Sequence, residues 1–378
     1  SLVRFKGQEV AAKAAYTAAR TSNAARANPP LRHAQPFPGK DEATQNIARK
    51  NFLALVFCLM IGTAALPHIL MRYYTTPSVK EARESVSWSL FFIFLLYFTA
   101  PALAVLAKYE VYTVLVNTPF DKLPEWIARW SAVDKSLLSV VDINKDGILQ
   151  LAEMSIGGDI IVLATPEIGG LPYVISGLVA AGGLAAALST ADGLLLTIAN
   201  ALSHDLYYKV LDPNASTARR VAVSKALLLV VALCAAYVAA QKPADILFLV
   251  SAAFSFAAAT FFPALTLGIF WKRANKWGAS LGMLAGLGVT FYYMITTQPW
   301  LYKLTHGGSA LTPEILKANT WWDIAPISAG LFGVPVGFAV IIIVSMLTKA
   351  PGKEIQDLVE HVRFPSLDGK TSGGSAAH

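Results

Sequence analysis

Cysteine and charge are both scarce in this 378-residue chain: it has two cysteines, Cys58 and Cys234, and only 15% of its residues are Asp, Glu, Lys or Arg, against about 25% in a soluble domain. The two cysteines sit in separate apolar runs with no second Cys or His at ligand spacing, which excludes a disulfide framework and a zinc site. Both are expected to be buried small hydrophobes. No G-x-S-x-G, H-E-x-x-H or Walker A pattern occurs, and no two carboxylates share an apolar run, so the sequence offers no footing for an enzyme. The formal net charge of +7 comes without a basic stripe interleaved with aromatics, which speaks against nucleic acid. The chain begins at Ser1 with no initiator methionine and no basic-then-apolar leader, and the expectation drawn from this is a true N-terminus that has been processed, truncated or never included.

Apolar sequence is what the chain has in quantity, 55% of its residues. Crossing a bilayer as a helix takes about 20 apolar residues, and lipid permits only helices or closed barrels because every backbone polar group must be satisfied internally. Seven runs reach that length: Asn51–Met71, Ser85–Ala107, Ile168–Ser203, Val221–Gln241, Ile246–Trp271, Gly278–Leu301 and Ile324–Thr348. None alternates polar and apolar every second residue as a barrel strand would. The expected fold class is therefore an all-α integral membrane protein.

Basic residues in short connections favour the cytoplasmic side. If the seven helices simply alternate, Arg72, Lys80 and Arg83, then Lys209, Arg219 and Arg220, then Lys272, Arg273 and Lys276, and finally Lys349 and Lys353 all fall on one side. The expected organisation follows. Residues 1–50 form an external segment, with an Ala-rich helical stretch and a Pro-rich linker. Residues 51–107 are two spans, and 108–167 are an external loop with nine Asp/Glu against five Lys/Arg. Residues 168–348 are five spans, and 349–378 a flexible cytoplasmic tail. The basic character of residues 1–50 conflicts only mildly with an external place, since long translocated stretches are largely exempt from the charge rule.

In the third span Ala186, Ser189, Thr190 and Gly193 recur at i, i+3, i+4 and i+7 and so share one helix face. Two hydroxyls and an approachable main-chain carbonyl suit a hard monovalent cation; small and hydroxylated residues also make an ordinary helix-packing seam in membranes. Asp192, an acid near the middle of the same run, is either a cation or proton partner or half of a structural ion pair. Gly62 and Pro67 inside the first span predict a broken helix, which transporters use to set free backbone groups beside a substrate. His68 follows that proline directly, and it either lines a cavity or packs as a hydrogen-bonded residue. Gly182 and Gly183 read as a close helix contact, and Pro263 as a bend.

The stretches GTAALPHILMRYYTTPSVKEARESV and LAAALSTADGLLLTIANALSHDLYYK resemble the sodium:solute symporter family, and within it the acetate or monocarboxylate branch, over about residues 51–348. That resemblance implies a leucine-transporter-like inverted-repeat fold, with the seven spans standing for core helices six to ten and two further helices. It implies sodium held by the Ala186 carbonyl and the Ser189 and Thr190 hydroxyls. A substrate-lining role for Thr63, Pro67 and His68 follows by position alone. Core helices one to five, which would complete both sites, have no counterpart in these residues, and residues 1–50 then read as a loop between core helices five and six. The implied activity is sodium-coupled symport of a small organic anion across a bacterial inner membrane; the alternative is a solute-sensing receptor of the same fold, which would need an output module.

DINKDGILQLAE, residues 142–153, fits the calcium-loop pattern D-x-[DN]-x-[DN]-G-x5-E at every defined position. Asp142, Asn144, Asp146, the Ile148 carbonyl and Glu153 are the expected ligands, and Gly147 takes the sharp turn. The flanking stretches DKSLLSVV and LAEMSIGG are expected to be helical. On the external side, such a loop is a structural calcium clip rather than a sensor; its counterpart in chemistry is a solvated acidic turn.

Overall fold

A computed structural model describes residues 37, 39, 41–73, 75–241 and 244–362. The Ala-rich stretch, most of the Pro-rich linker and the Gly/Ser tail lie outside the described residues.

Among the described residues seven helical segments are long and apolar enough to cross a membrane. The first opens at Asp41, whose carboxylate accepts the Thr44 amide at 2.7 Å, and runs as α1 (Glu42–Ala65). Leu66 breaks it with an extended backbone, and α2 (Pro67–Tyr73) continues. The break sits where the sequence places it: Pro67 has no N–H to give the preceding turn. Next come α3 (Val79–Glu110), ending in a π-helical turn over Val111–Leu115, then α4 (Glu125–Val133), the strands β1 (Leu138–Val140) and β2 (Met154–Ile156), and α5 (Ile161–Ile168). The helix α6 (Tyr173–Asn200) runs on as a π-helical stretch over Ala201–Leu211. Four more long helices and three short ones complete the order: α7 (Thr217–Ala240), α8 (Ile246–Phe270), α9 (Lys276–Thr297), α10 (Pro299–Thr305), α11 (Pro313–Asn319), α12 (Gly330–Leu347) and α13 (Lys353–Val362). Pro263 lies inside an unbroken α8.

The chain divides into two compact units, one holding residues 91–188 and the other residues 37–90 and 189–362 of the described chain. In the first, Leu115, Trp126, Ile127, Leu138, Leu149 and Ile160 form a small core beneath the polar loop. In the second, α8, α9 and α12 pack on one another and α1 packs on α8.

Glycine spacing decides how closely those helices approach. Gly278, Gly282 and Gly286 recur every four residues on α9 and meet Gly333, Gly337, Ile341 and Ser345 of α12. A methyl built on Gly286 would overlap the Ala259 carbonyl oxygen of α8 and lie 3.1 Å from the Gly333 carbonyl oxygen. With no hydrophobic drive between helices in lipid, close backbone contact of small residues supplies the attraction. At the end of this seam, the Tyr293 hydroxyl donates to the Ile324 carbonyl at 2.5 Å, and the ring packs against Trp321 and Phe332.

Four sequence expectations need correction. The calcium-type loop is flanked by antiparallel strands rather than helices, with Leu138 opposite Ile156 and Val140 opposite Met154. Alternation decides it: Leu138 and Val140 turn to the small core while Ser139 between them does not, a period of two rather than 3.6. Cys58 is buried as expected, but Cys234 is exposed on α7, a helix with no buried residue among those described. In lipid such an apolar surface carries no penalty. Gly182 has nothing near it and only Gly183 meets a neighbour, Leu163 at 3.1 Å. Finally, residues 353–362, placed in a flexible tail, form the helix α13.

Candidate ion and substrate site

Two elements carry the candidate chemistry, the broken helix α1–α2 and the helix α6, whose residues from Ser189 onward belong with α1–α2 to the second unit. At the break, Pro67 leaves the Thr63 carbonyl without the amide that a continuous helix would supply. The Leu66 carbonyl accepts from Ile69 and Leu70 at 3.0 and 3.1 Å, starting α2 anew. Thr63 is exposed and turns its hydroxyl to the Leu59 carbonyl at 2.7 Å. Pro67 and His68 are half-buried, and the His68 Nδ1 is shielded from solvent without a hydrogen-bond partner.

On α6, residues 180–192 are all exposed, so Ala186, Ser189, Thr190 and Asp192 present themselves on an open helix surface. Asp192 makes no hydrogen bond or ion pair among the described residues, so no structural ion pair accounts for it there. Helical geometry puts Ser189, Thr190 and Gly193 on one face, with Gly193 about 6 Å along the axis from Ser189.

Gly193 is where the two elements meet. A methyl built there would stand 3.1 Å from a terminal guanidinium nitrogen of Arg72 and 4.0 Å from the His68 Cβ. The Arg72 guanidinium makes no hydrogen bond or ion pair among the described residues. The structure thus brings His68 and Arg72 to the face that carries Ser189 and Thr190; Pro67 directly precedes His68, and Thr63 lies on the far side of the break at Leu66. Sequence reasoning used Arg72 only as a topology marker. Its signal was its place at i+4 from His68, on one face of α2, together with a glycine, the only residue without a side chain to exclude it, on the partner helix.

The external loop is a separate arrangement within the first unit. Asp142, Asp146 and Glu153 each offer a carboxylate oxygen within 4.8 Å of the others. Asp142 accepts from the Lys145 and Gly147 amides at 2.6 and 3.0 Å. Asn144 accepts from the Asp146 amide at 3.1 Å and donates to the Asp146 carboxylate at 2.8 Å. Glu153, only 2% exposed, accepts from Ile143 at 2.8 Å and from Gln150 at 3.1 Å. Gly147 has φ +72° and Lys145 φ +62°, which fold the loop tightly. The Ile148 carbonyl accepts no hydrogen bond among the described residues, while Leu149 beside it is buried and exchanges two backbone bonds with Asn117 and Thr118 at 2.8 and 2.9 Å. The Ile148 amide, followed by the Asn144 and Gln150 side chains, holds the Asp146 carboxyl below its ordinary value against opposing desolvation.

Comparison with known proteins adds the following. The sodium:solute symporter family profile matches residues 161–286, which run from α5 through the whole of α6, α7 and α8 to the centre of α9. An uncharacterised symporter of Cupriavidus necator is 52% identical over 361 residues, 96% of this chain and 52% of that protein. A monocarboxylic acid transporter of Corynebacterium glutamicum is 28% identical over 335 residues, 88% of this chain and 52% of that protein. The chain therefore spans about half the length of the curated relatives it matches. No solved structure matches.

Proposed function

We propose, from the premise that this chain belongs to the sodium:solute symporter family, that it takes part in sodium-coupled symport of a small organic anion, acetate or another short monocarboxylate. The single observation that carries this reading is the approach of the Arg72 guanidinium to Gly193, on the helix face that holds Ser189 and Thr190. Sodium, a hard and weakly held cation, takes the Ala186 carbonyl and the two hydroxyls as ligands. The remaining ligands come from helices outside these residues, whose partner surface is the exposed stretch of α6. The membrane is a bacterial inner membrane, with α13 on its cytoplasmic side.

Arg72 gives the reading its coupling. Two unit positive charges about 6 Å apart repel by roughly 3 kcal/mol at an effective dielectric of about 20. A carboxylate between the guanidinium and the sodium ion removes that repulsion, so each ligand raises the affinity for the other by the same factor. Asp192 partners the cation from the adjoining face. Replacing Arg72 by Gln is expected to raise the carboxylate concentration for half-maximal uptake about 10- to 100-fold, the loss of a charge-assisted bond of about 1.5–3 kcal/mol. Arg72→Lys restores part of it. Uptake measured against carboxylate concentration decides the point, and an unchanged half-saturation in Arg72→Gln removes Arg72 from the site.

The external loop is read as a calcium clip, with Asp142, Asn144, Asp146, the Ile148 carbonyl and Glu153 as ligands. What favours it is the convergence of three carboxylates around a glycine turn in a loop whose eighth residue, Leu149, anchors it to the core. External single loops bind calcium at about 0.1–1 mM, so the ion is a structural one. Calorimetric titration of the full chain with calcium is expected to give saturable heat that Asp142→Ala with Glu153→Ala abolishes; equal heats rule the clip out. Because the folded-state pKa of Asp146 is depressed, its contribution to loop order is complete above its ordinary value of 3.8 and is lost as pH falls below that.

A further inference from the structure

A cavity of about 660 Å³ opens where the end of α8, the start of α9, the end of α12 and α13 come together, away from the residues assigned to transport. Its floor is apolar, made by Ala264, Gly268 and Ile341, and Ile355 of α13 closes one wall. Its rim carries Lys276, Trp277 and Lys349.

The corner beneath that rim is firmly built. Asn275 caps α9 by accepting the Gly278 amide at 2.9 Å. It also donates to the Thr348 hydroxyl at 2.6 Å and to the Lys349 carbonyl at 3.1 Å. Arg273 donates to the Met346 and Thr348 carbonyls at 3.2 Å, capping the end of α12. Lys272 pairs with Glu360 at 2.7 Å and holds α13 in place. Those two cations are spent on structure. The ammonium groups of Lys276 and Lys349 make no hydrogen bond or ion pair among the described residues. The Lys276 ammonium stands 5.7 Å from the centre of the Trp277 ring, which is 59% exposed. The first-turn amides of α9 at Lys276 and Trp277 have no acceptor within the helix and add to the positive field.

The helix α13 supplies an independent observation. Ile355, Leu358 and Val359 recur at i, i+3 and i+4, yet Ile355 and Leu358 remain 54% and 59% exposed. Asp357 and Glu360 lie on the opposite face by the 100° step per residue. An amphipathic helix whose apolar residues lie bare beside a cationic rim has the pattern of a helix lying in the membrane interface. Basic pockets between membrane helices suit anionic headgroups, and Trp is at home at headgroup depth.

We propose that this cavity binds an anionic phospholipid of the adjoining leaflet. Its phosphate sits between Lys276, Lys349 and the first-turn amides of α9, and an acyl chain covers Ile355 and Leu358. A soluble phosphate would meet the rim and leave those two side chains bare, which is why a lipid is the fitting occupant. Binding there ties the ends of α9 and α12 to α13.

The test uses the full chain in detergent, given equal amounts of dioleoyl-phosphatidylglycerol and dioleoyl-phosphatidylcholine, with retained lipid counted by native mass spectrometry. The chain is expected to retain phosphatidylglycerol about tenfold over phosphatidylcholine. Lys276→Gln with Lys349→Gln should lose most of that preference, and Lys276→Arg with Lys349→Arg should keep it, which separates loss of charge from loss of fold. Lys80→Gln with Arg83→Gln, far along the chain, should change nothing. Millimolar inorganic phosphate should not displace the lipid. The proposal is overturned by equal retention of the two lipids, by a preference that survives Lys276→Gln/Lys349→Gln, by an equal loss in the Lys80/Arg83 variant, or by full displacement with inorganic phosphate.

Discussion

Alanine at both Ser189 and Thr190 is expected to lower the apparent sodium affinity of uptake by on the order of 100-fold or more. Each hydroxyl interacting with a charged partner contributes about 1.5–3 kcal/mol, and the two losses add if both oxygens hold the same ion. The expected signature is specific. Sodium activation shifts to high concentration, while the half-saturating carboxylate concentration, measured at saturating sodium, moves far less. That pattern separates ion ligands from the helix-packing seam which the same small residues would also suit, since a damaged seam lowers the amount of folded protein without shifting the sodium curve. Each single alanine should lie between the double variant and the wild type. Asp192→Asn belongs in the same series, because Asp192 lies on the face adjoining Ser189. If the double variant takes up carboxylate with an unshifted sodium dependence, Ser189 and Thr190 are not ion ligands.

The second large effect concerns stability. Gly286→Val should disrupt the packing of α8, α9 and α12, because the added side chain enters space already held by the Ala259 carbonyl and lies against the Gly333 carbonyl. Both obstacles are backbone, which cannot swing aside as a flexible side chain would. Overpacking typically costs about 1–3 kcal/mol, and here the upper end or beyond is expected. Gly288, two residues on, is the internal control. A methyl there meets nothing within 4 Å, so Gly288→Ala should leave stability unchanged or raise it by up to about 1 kcal/mol through helix propensity alone. Thermal unfolding of the two variants in one detergent checks this. A Gly286→Val midpoint equal to that of the wild type would mean that the close approach of the three helices does not hold the unit together.

These two cases show what was legible in the sequence. The seven spans were, because a membrane leaves few ways to place about 20 apolar residues; the break at Leu66 was too, because a proline in mid-helix removes a hydrogen bond. The glycine seam was equally present as Gly278, Gly282 and Gly286, but a reading by hydropathy counts apolar residues and is blind to which face they occupy. Ile355, Leu358 and Val359 likewise carried the period of α13, masked by the polar Gly/Ser stretch that follows. The pattern of the acidic loop implies flanking helices, whereas Leu138, Ser139 and Val140 alternate with the period of a strand. In sequence Arg72 is no more than a charge at a span end; its approach to Gly193 is what sets it apart. That pairing joins residues 121 positions apart, and no local pattern reports it.

The central claim is that a sodium gradient drives carboxylate uptake through the face shared by Ser189, Thr190 and Gly193. Its most direct test is uptake of radiolabelled acetate into membrane vesicles containing the protein, with an inward sodium gradient, without one, and with Ser189→Ala/Thr190→Ala in place. Transient accumulation above equilibrium only with the gradient, lost in the double variant at ordinary sodium concentrations, is the predicted result. Accumulation that is indifferent to sodium, or that persists unchanged in the double variant, would contradict it.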